Sequence, residues 1–375
     1  MDINPQILKG KFFVYRAYDI LDEINLDFIE TELSNENAPE KFKLRRKTGQ
    51  ALRILSTPLS LSFGKIDLEI GGKIFNVDIT AKAWSFGALS FNFQFDIAGI
   101  KWIELNNLAI SIESDYQIDK LAKEYLSDFC SRFSKARHNL EHWDTFEDYI
   151  IFYLEKIEGI EVLAKNILTL PQWSSLVILE QKYQISSRIE TLLLNNIFQY
   201  SESDLALIDW NSAMVIEPDG DMDVVDIIEF ALVQLLEVRY YDDLLDQKLN
   251  KLYDGIKKGE GGALRNKFRK LSREAGQYYL EIAEIVETIE NSIKVVGDFY
   301  LATIFRASTE RFRIHDWLKN IEKKLEHLAD ISKYLQGETH QKVSHFLEII
   351  IIVLITFELL PLLPKLYYFV SQMMK

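Results

Sequence analysis

GGKIFNVDITAKAWSFGALSFNFQFDI, residues 71–97, alternates apolar and polar side chains on both sides of a short glycine-containing break. The apolar positions recur at every second residue, at Phe75, Val77 and Ile79 and then at Leu89, Phe91, Phe93 and Phe95. Successive side chains of a strand point to opposite faces of a sheet, so this period of two predicts half-buried strands. The glycine breaks indicate turns, and the strands are predicted to form an antiparallel sheet with one covered face.

Segments around this stretch complete a mixed domain. Strands are predicted at KFFVYRAYDI (11–20) and EDYIIFYLEKI (147–157), and a hairpin is predicted in DLALIDWNSAMVIEPDGD (204–221). The helical spacing in DYQIDKLAKEYLSDFCSRF (115–133) predicts a helix that covers the sheet. Residues 1–218 are therefore predicted to form an α+β domain.

The periodicity changes after residue 218. The apolar residues then follow a heptad seam, at Val224, Ile228, Ala231, Leu235, Val238, Leu245, Leu249, Leu252 and Ile256. Similar runs restart at Leu264 and at Ile314 after short loops. Because consecutive helices with short connections pack as neighbours, residues 219–345 are predicted to form a long antiparallel helical hairpin or bundle with coiled-coil heptads.

Asp242 interrupts this seam with a charge. Arg239 precedes Asp242 and Asp243 by three and four residues, which is an intrahelical ion-pair spacing. A polar residue at a seam position commonly fixes helix register or partner choice. Arg239, Asp242 and Asp243 are therefore predicted to set the specificity of the helical region. A catalytic carboxylate pair is the alternative interpretation.

The tail, HFLEIIIIVLITFELLPLLP (345–364), is the most apolar part of the chain. As a helix, residues 346–364 would be roughly 28 Å long, close to the hydrocarbon thickness of about 30 Å. Residues 346–375 are predicted to be a C-terminal transmembrane anchor, with these residues as its main features: Phe346, Glu348, Ile352, Glu358, Tyr367 and Tyr368. A helix buried in the core of an oligomer is the alternative interpretation.

The net charge of −14 argues against binding of nucleic acid or anionic lipid by the surface as a whole. Local basic patches are the exception. One follows the first helical segment and contains Lys257, Lys258, Arg265, Lys267, Arg269 and Lys270. It is interpreted as a contact patch for a ribosome or RNA, with an ordinary solvated loop as the alternative.

A single cysteine, Cys130, excludes an internal disulfide and fits a reducing compartment. The first residues, MDINPQILKG, lack the basic and apolar regions of a secretory signal. The bulk of the protein is therefore expected in the cytoplasm, with the C-terminal anchor in a membrane.

Three segments of the chain resemble a family of unknown function. They are QKVSHFLEIIIIVLITFELL (341–360), SFGALSFNFQFD (85–96) and FALVQLLEVRYYDDLLDQKLNKLYD (230–254). This family is that of the "required for meiotic nuclear division" protein and its yeast and bacterial relatives. The resemblance covers about residues 75–360 and implies a mixed N-terminal domain, helices and one C-terminal transmembrane segment. It implies a membrane-tethered scaffold of the bacterial type, with a link to translation in mitochondrial members, and no reaction.

Motifs for chemistry are weak. His138 and His142 have metal-ligand spacing, but no third ligand is marked and a polar helix face is the favoured interpretation. Asp219, Asp221 and Asp223 resemble part of a calcium loop, yet Glu is missing at its last position, which favours an acidic helix N-cap. No phosphate loop, nucleophile elbow or dinucleotide fingerprint is found. No catalytic residue, metal or cofactor is therefore predicted.

The sequence thus predicts a non-enzymatic, membrane-anchored scaffold that oligomerises or docks a partner through its helical region. The predicted partners are a membrane, further copies of the chain, and a ribosome or RNA contacted through the basic patch. Two alternatives stay open, a soluble oligomer that buries the C-terminal helix and an enzyme with its site in the α+β domain.

Overall fold

The computed structural model describes residues 4–20, 24–34, 43–44, 58–136, 143–161, 163–180, 182–257, 270–280, 282–283, 287 and 298–359. Within these ranges nine strands form one sheet in the order β2-β3-β4-β5-β1-β6-β9-β8-β7. The strands are β1 (Ile7–Asp19), β2 (Lys43–Leu44), β3 (Leu59–Ile70), β4 (Lys73–Ala83), β5 (Ala88–Asp96), β6 (Phe146–Ile157), β7 (Ile197–Phe198), β8 (Leu205–Ile208) and β9 (Ser212–Ile216). The strands predicted in the first part of the chain are thus confirmed, including the hairpin of β8 and β9.

The described residues also contain nine α-helices, α1 to α9. They are α1 (Leu26–Ser34), α2 (Trp102–Glu113), α3 (Tyr116–Arg132), α4 (Leu163–Asn166), α5 (Trp173–Ile178), α6 (Ser187–Leu194), α7 (Asp223–Lys257), α8 (Phe299–Arg311) and α9 (Ile314–Leu359). Residues 270–280 are also helical. Asp115 begins α3 as its N-cap, since its carboxylate accepts a hydrogen bond of 2.7 Å from the Gln117 N–H.

The sheet is mixed, so the prediction of an antiparallel sheet is wrong for one strand pair. β3 and β4 form a tight hairpin because Gly71 and Gly72 adopt φ values of 57° and 76°, which a two-residue turn of this kind requires. β6 and β9, however, pair in parallel. Between them the chain passes through α4, α5 and α6, and a crossover of this kind is what a parallel pair needs.

The main core lies on the sheet face that α2 and α3 cover. Phe91 and Phe93 of β5 and Phe12 of β1 belong to one buried cluster with Ile112 of α2 and Phe129 of α3. Every one of these side chains has no accessible surface. Phe91 and Phe93 are positions that the period of two assigns to the apolar face, so the alternation correctly located the core in β5.

The opposite face of the sheet is covered as well, and the prediction of one covered face is wrong. Thr80, Ser90 and Asn92, from polar positions of β4 and β5, are buried. The Trp84 ring lies 5.2 Å from the Phe230 ring of α7. Polar side chains can be buried in this way when they find hydrogen-bond and charge partners, and α7 supplies both.

Contacts divide the chain into two compact units, Met1–Tyr240 with Glu287–Leu318, and Tyr241–Val286 with Lys319–Lys375. Helices α7 and α9 contribute residues to both units. The second unit buries apolar residues of three helical segments, and they include Leu245, Leu249, Leu252, Leu271, Ala275, Ile321, Leu325, Leu328 and Leu335. The α7 residues of this set are seam positions of the heptad pattern.

The prediction of a C-terminal transmembrane helix is wrong. No helix in the described part of the chain combines the length and the apolar character that a bilayer crossing needs. Between Glu348 and Glu358 of α9, uncharged residues occupy about 14 Å of helix at about 1.5 Å per residue, which is half the hydrocarbon thickness of about 30 Å. The predicted membrane partner and membrane localisation depended on this helix, and they are wrong with it.

Candidate functional site

A layer of polar and charged side chains lies between the sheet and α7, and we call it the polar layer. It consists of Tyr15, Asp19, Lys82, Ser90, Asn92, Glu147, Asp226, Glu229, Glu237 and Arg239. Its sheet residues occupy alternating positions of β1, β4, β5 and β6, on the face opposite the main core. Its acidic residues lie on one side of α7, where the spacing of three or four residues brings them into line.

Lys82 is the centre of the polar layer. Its Nζ donates to Asp226 Oδ1 at 2.6 Å and to Glu229 Oε2 at 2.7 Å. Ser90, the cross-strand neighbour of Lys82, donates its hydroxyl to the other carboxylate oxygen of Glu229. The side chains of Lys82, Asp226 and Glu229 are only 14%, 11% and 3% exposed. These contacts join α7 directly to the sheet.

Burial and the opposite charges of Lys82, Asp226 and Glu229 shift the pKa values of this group in opposite directions. Burial raises the pKa of Glu229, while the Lys82 ammonium beside it lowers that pKa. Burial alone would lower the pKa of Lys82, but the Glu229 and Asp226 carboxylates more than reverse this effect, so its pKa is raised. Burial, and then the negative charge of Glu229, raise the pKa of Tyr15 well above its usual value. Lys82 therefore keeps its charge, which suits an ion pair and does not suit a proton-transfer group.

Asp19 and Glu237 form a second buried acidic pair in the polar layer. Both residues are only 2% exposed. Burial, followed by repulsion from Asp19 and a hydrogen bond with it, raises the pKa of Glu237 well above the usual value. A hydrogen bond between two carboxyl groups requires a proton on one of them, and the raised pKa of Glu237 favours its protonated form as the donor.

Glu147 and Arg239 complete the polar layer. Arg239 Nη1 donates to Glu147 Oε1, and the Arg239 guanidinium lies 5.8 Å from the centre of the Trp317 ring. Burial raises the pKa of Glu147 to about 7, although Arg239 acts to lower it. This carboxyl group therefore titrates near neutral pH.

The predicted specificity residues form contacts that differ from the predicted intrahelical ion pairs. Arg239 pairs with Glu147 of β6, whose buried carboxylate attracts a cation more strongly than a solvated one does. Asp242 Oδ1 instead lies 2.7 Å from Lys324 Nζ of α9, and Lys324 also pairs with Asp246 at 2.7 Å. This is a contact between helices of the second unit, which is the kind of contact that can set register. The specificity role itself stays a prediction.

Other predicted residues lie largely outside the described ranges. Lys258, Arg265, Lys267 and Arg269 of the basic patch are among them, as are His138 and His142. Lys257 ends α7, and Lys270 forms an exposed pair with Glu274 at 3.9 Å. Of the predicted anchor, Glu348 and Ile352 are exposed on α9. Phe346 and Glu358 lie in α9 without described side chains, and Tyr367 and Tyr368 are outside the described ranges.

The predicted acidic loop borders a cavity of about 300 Å³. The acids on its wall are Asp204, Glu217, Asp219, Asp221, Asp223 and Asp298. Several are already engaged, since the Asp204 carboxylate accepts the Tyr200 N–H at 2.8 Å and the Tyr300 hydroxyl at 3.1 Å. Over the residues that the structure describes, no group of three or more histidine, cysteine or acidic side chains has the arrangement of a metal site.

A larger cavity of about 610 Å³ lies beside α3, and we call it the serine cavity. Tyr18, Lys123, Ser127, Cys130, Ser131 and Ser134 lie on its wall. Cys130 is half-buried here. The Tyr18 side chain is buried, and its hydroxyl has no hydrogen-bond partner among the residues that the structure describes.

Sequence reasoning missed both the polar layer and the serine cavity. A signal for the cavity was available, because Ser127, Ser131 and Ser134 are small polar residues at helical spacing, away from the apolar face of α3. The signal for the polar layer was weaker, since acids near the start of a helix are usually solvated N-terminal charges.

Comparison with known proteins gives the family. A family model described as the N-terminal domain of the uncharacterized protein MJ0711 matches residues 9–223, more than half of the chain. The chain belongs to this family. It is similar to the uncharacterized protein MJ0711 of Methanocaldococcus jannaschii, with 28% identity over 174 residues. The match covers 46% of this chain and 53% of that protein, so the chain spans about half the length of this relative.

The family match ends at the first residue of α7 and includes every strand of the sheet except the first two residues of β1. No solved structure matches the chain. Membership of a family of unknown function, as predicted, is confirmed at this level. The narrower link to the family named for meiotic nuclear division is not shown.

Proposed function

We propose that the protein is a non-enzymatic docking scaffold. Its apolar turns near the end of α9 insert into an apolar groove on a partner protein, and basic side chains border that groove. Ile350, Ile351, Ile352, Val353 and Ile355 make up these turns, and we call them the isoleucine segment. The first unit, which contains the sheet, is the part that is held in place.

The exposure of the isoleucine segment carries this proposal. Its five side chains are 37%, 54%, 62%, 45% and 50% exposed, in chain order. Successive residues of a helix differ by about 100°, so these side chains surround the helix. A contiguous exposed apolar surface of this kind is typical of a protein interaction site, and helix-in-groove binding would remove it from water.

Charge favours a basic partner over a second copy of the chain. The protein carries a net charge of −14, and Glu348, next to the isoleucine segment, is exposed. A second copy would bring the same negative charge to the contact, which opposes association. Basic residues at the border of a groove would instead attract the end of α9 and speed the encounter.

The second unit supplies support for the docking helix. Lys324 binds both Asp242 and Asp246 of α7, so an ion pair joins α9 to α7 about 40 Å before the isoleucine segment at about 1.5 Å per residue. A helix that is held at one end presents its other end with little loss of conformational freedom on binding.

The proposal can be tested with a photo-crosslinking amino acid at position 351 of the full chain in its native cells. We expect a crosslink to one protein, and binding between the two purified proteins. Ile351→Lys and substitution of the partner's basic groove residues by Glu should each weaken that binding by about tenfold or more.

Ile74→Lys is the matched control, because Ile74 is 73% exposed on β4 of the first unit. It should leave binding unchanged. Crosslinks only between copies of this chain would overturn the proposal in favour of self-association. Equal effects of Ile351→Lys and Ile74→Lys would also overturn it.

A narrower proposal is that the docked partner belongs to the translation apparatus. It is supported by the resemblance of residues 341–360 to the family named for meiotic nuclear division. The basic patch lies mostly outside the described residues and adds no support. Crosslinking from position 351 to a ribosomal protein would support this narrower proposal, and a partner with no role in translation would overturn it.

A further inference from the structure

The cavity of about 300 Å³ beside the acidic loop lies within the first unit, and we call it the acidic cavity. The segment between β7 and β8, the loop after β9 and the first residues of α7 and α8 form its wall. Tyr200, Asp219, Asp221 and Asp298 are exposed residues of this wall. Its aromatic and charged groups are therefore accessible to a partner at the surface.

The acidic cavity concentrates negative charge. Six acids line it, and no basic residue is among the described residues of its wall. Lys165 approaches the turn at residues 201–203, but it is paired with Glu202 at 2.5 Å. Residues 288–297, which precede Asp298 and lie outside the described ranges, contain one acid and one base, Glu290 and Lys294, so they add no net charge.

Two helix N-termini offset only a small part of this charge. The Asp298 carboxylate caps α8 by accepting the Leu301 N–H at 2.9 Å. At the start of α7, the Asp221 carboxylate accepts the Asp223 N–H at 2.9 Å. A helix N-terminus carries about half of an elementary charge, so the two helices together compensate about one carboxylate.

The remaining acids repel one another. Burial raises the pKa of Glu217, and the negative charges of Asp204, Asp221 and Asp219 also raise it, although a hydrogen bond from the Asp219 N–H acts to lower it. A bound cation would relieve this repulsion. In the described part of the chain no three such side chains converge as metal ligands do, so a cation with several spread N–H donors fits these acids better than a metal ion.

Exposed aromatic rings at the acidic cavity are a separate indication of a ligand. Tyr200 is 79% exposed, and Phe299, which lies between two residues of the wall, is 90% exposed. The rings of Tyr200 and Tyr300 have their centres 5.6 Å apart and their planes inclined at 54°. Aromatic faces attract cations, and a planar guanidinium also stacks on them. Aromatic residues are in addition enriched at protein interfaces.

We propose that the acidic cavity docks an arginine-containing basic segment of a partner protein. An arginine side chain of this segment lies against the Tyr200 and Tyr300 rings, and its N–H groups bind the exposed carboxylates of the wall. Arginine has five N–H donors in a planar fork, so it reaches several spread acceptors at once, whereas the lysine ammonium is one compact charge. Phe299 offers apolar surface to the residue beside the arginine. This contact goes beyond the docking of the isoleucine segment, since it lies in the first unit.

The experiment is fluorescence anisotropy of the full chain with the labelled peptide GRRFRRG at low salt. We expect a Kd below about 100 μM, and weaker binding as added salt screens the charges. The peptide GKKFKKG has the same charge without guanidinium groups, so it should bind about threefold more weakly or worse. No binding of GRRFRRG at about 100 μM, or equal binding of the two peptides, would overturn the proposal.

A double variant connects binding to the acidic cavity. Tyr200→Ala combined with Asp219→Asn removes one exposed ring and one exposed charge, so it should weaken binding of GRRFRRG about tenfold with little change in Tm. Tyr116→Ala combined with Asp128→Asn is the matched control, because it removes the same groups at exposed positions of α3, where Tyr116 is 76% exposed. Equal weakening in the two double variants would reduce the binding to a general attraction by the net charge and would overturn the proposal.

Two further measurements test the role of the ring and the kind of occupant. Tyr200→Trp retains an aromatic face and should bind GRRFRRG at least as well as the wild type, and a loss as large as that of Tyr200→Ala would overturn the proposal. Displacement of the peptide by less spermine than unlabelled GRRFRRG would identify a polyamine site instead. Failure of docking by the isoleucine segment would not affect these measurements, because residues 350–355 belong to the second unit.

Discussion

Buried carboxyl groups are the clearest departure from ordinary residue behaviour in this protein. Asp19 and Glu237 contact each other at 2% exposure, and Glu147 is buried beside Arg239. Desolvation favours the protonated forms of Glu237 and Glu147, which are normally ionised. Their protonation therefore couples the stability of the first unit to pH.

Glu237→Gln should stabilise the protein increasingly as the pH rises. The raised pKa of Glu237 means that the unfolded chain releases a proton above its ordinary pKa of 4.5, while the folded protein retains it. In the wild type, Glu237 therefore makes its full contribution to the free energy of unfolding below about pH 4.5. This contribution declines as the pH rises towards the pKa of Glu237 in the folded protein. Glutamine holds no such proton and can still donate to Asp19.

Urea unfolding at a series of pH values measures this effect. From about pH 5 to about pH 8 the difference in unfolding free energy should grow in favour of Glu237→Gln, with a slope of at most about 1.4 kcal/mol per pH unit. Glu310→Gln, at an exposed position of α8, removes the same charge and should show no such trend. A difference that does not vary with pH would contradict the protonation of Glu237.

At the scale of elements, the position of α7 depends on ion pairs as well as on apolar packing. Lys82→Met leaves Asp226 and Glu229 buried without their cation, and a broken buried pair typically costs about 3 to 5 kcal/mol. We expect a loss at the lower end of this range, because Ser90 still donates to Glu229. Urea unfolding at neutral pH provides the measurement.

Lys73→Met is the matched control for Lys82→Met, since both residues lie on β4. Lys73 pairs with Glu104 at 2.8 Å, but these side chains are 55% and 48% exposed. An exposed pair contributes at most about 1 kcal/mol. Equal losses in the two variants would show that the polar layer does not hold α7 to the sheet.

The elements differ in how well the sequence predicts them. The apolar residues of β4 and β5 indicated strands and core together, because burial on one face leaves a local period of two. Parallel pairing of β6 with β9 left no such local trace, since it joins residues about 60 positions apart. The polar layer could not be predicted for the same reason. Lys82 and Asp226 lie far apart in the sequence and form their ion pair only in the folded chain.

In the apolar tail, by contrast, a strong local pattern led to a wrong prediction. Its isoleucine content predicted a membrane span, yet hydropathy over a short window does not distinguish an exposed docking helix from an inserted one. Glu348 and Glu358 were the informative residues, because they limit the uncharged run of α9. The length of the apolar run and the family resemblance outweighed them in the prediction.

At the scale of the whole molecule, the two compact units have separate sources of stability. The first unit depends on the main core and the polar layer. The second depends on leucine-rich helix contacts and on the pairs of Lys324 with Asp242 and Asp246. Proteins open in cooperative units of this kind, and hydrogen exchange reports the free energy of each opening.

Lys324→Met should therefore increase opening in the second unit alone. Removing the cation leaves Asp242, whose side chain is only 16% exposed, without its partner, and amide exchange in residues 242–252 and 319–335 should become about tenfold faster, equivalent to about 1.4 kcal/mol. Exchange in β1 and β5 should not change. Lys323→Met, at the exposed neighbouring position, removes the same charge and should alter neither region. Equally accelerated exchange in β1 would contradict this prediction, since the two units would then open together.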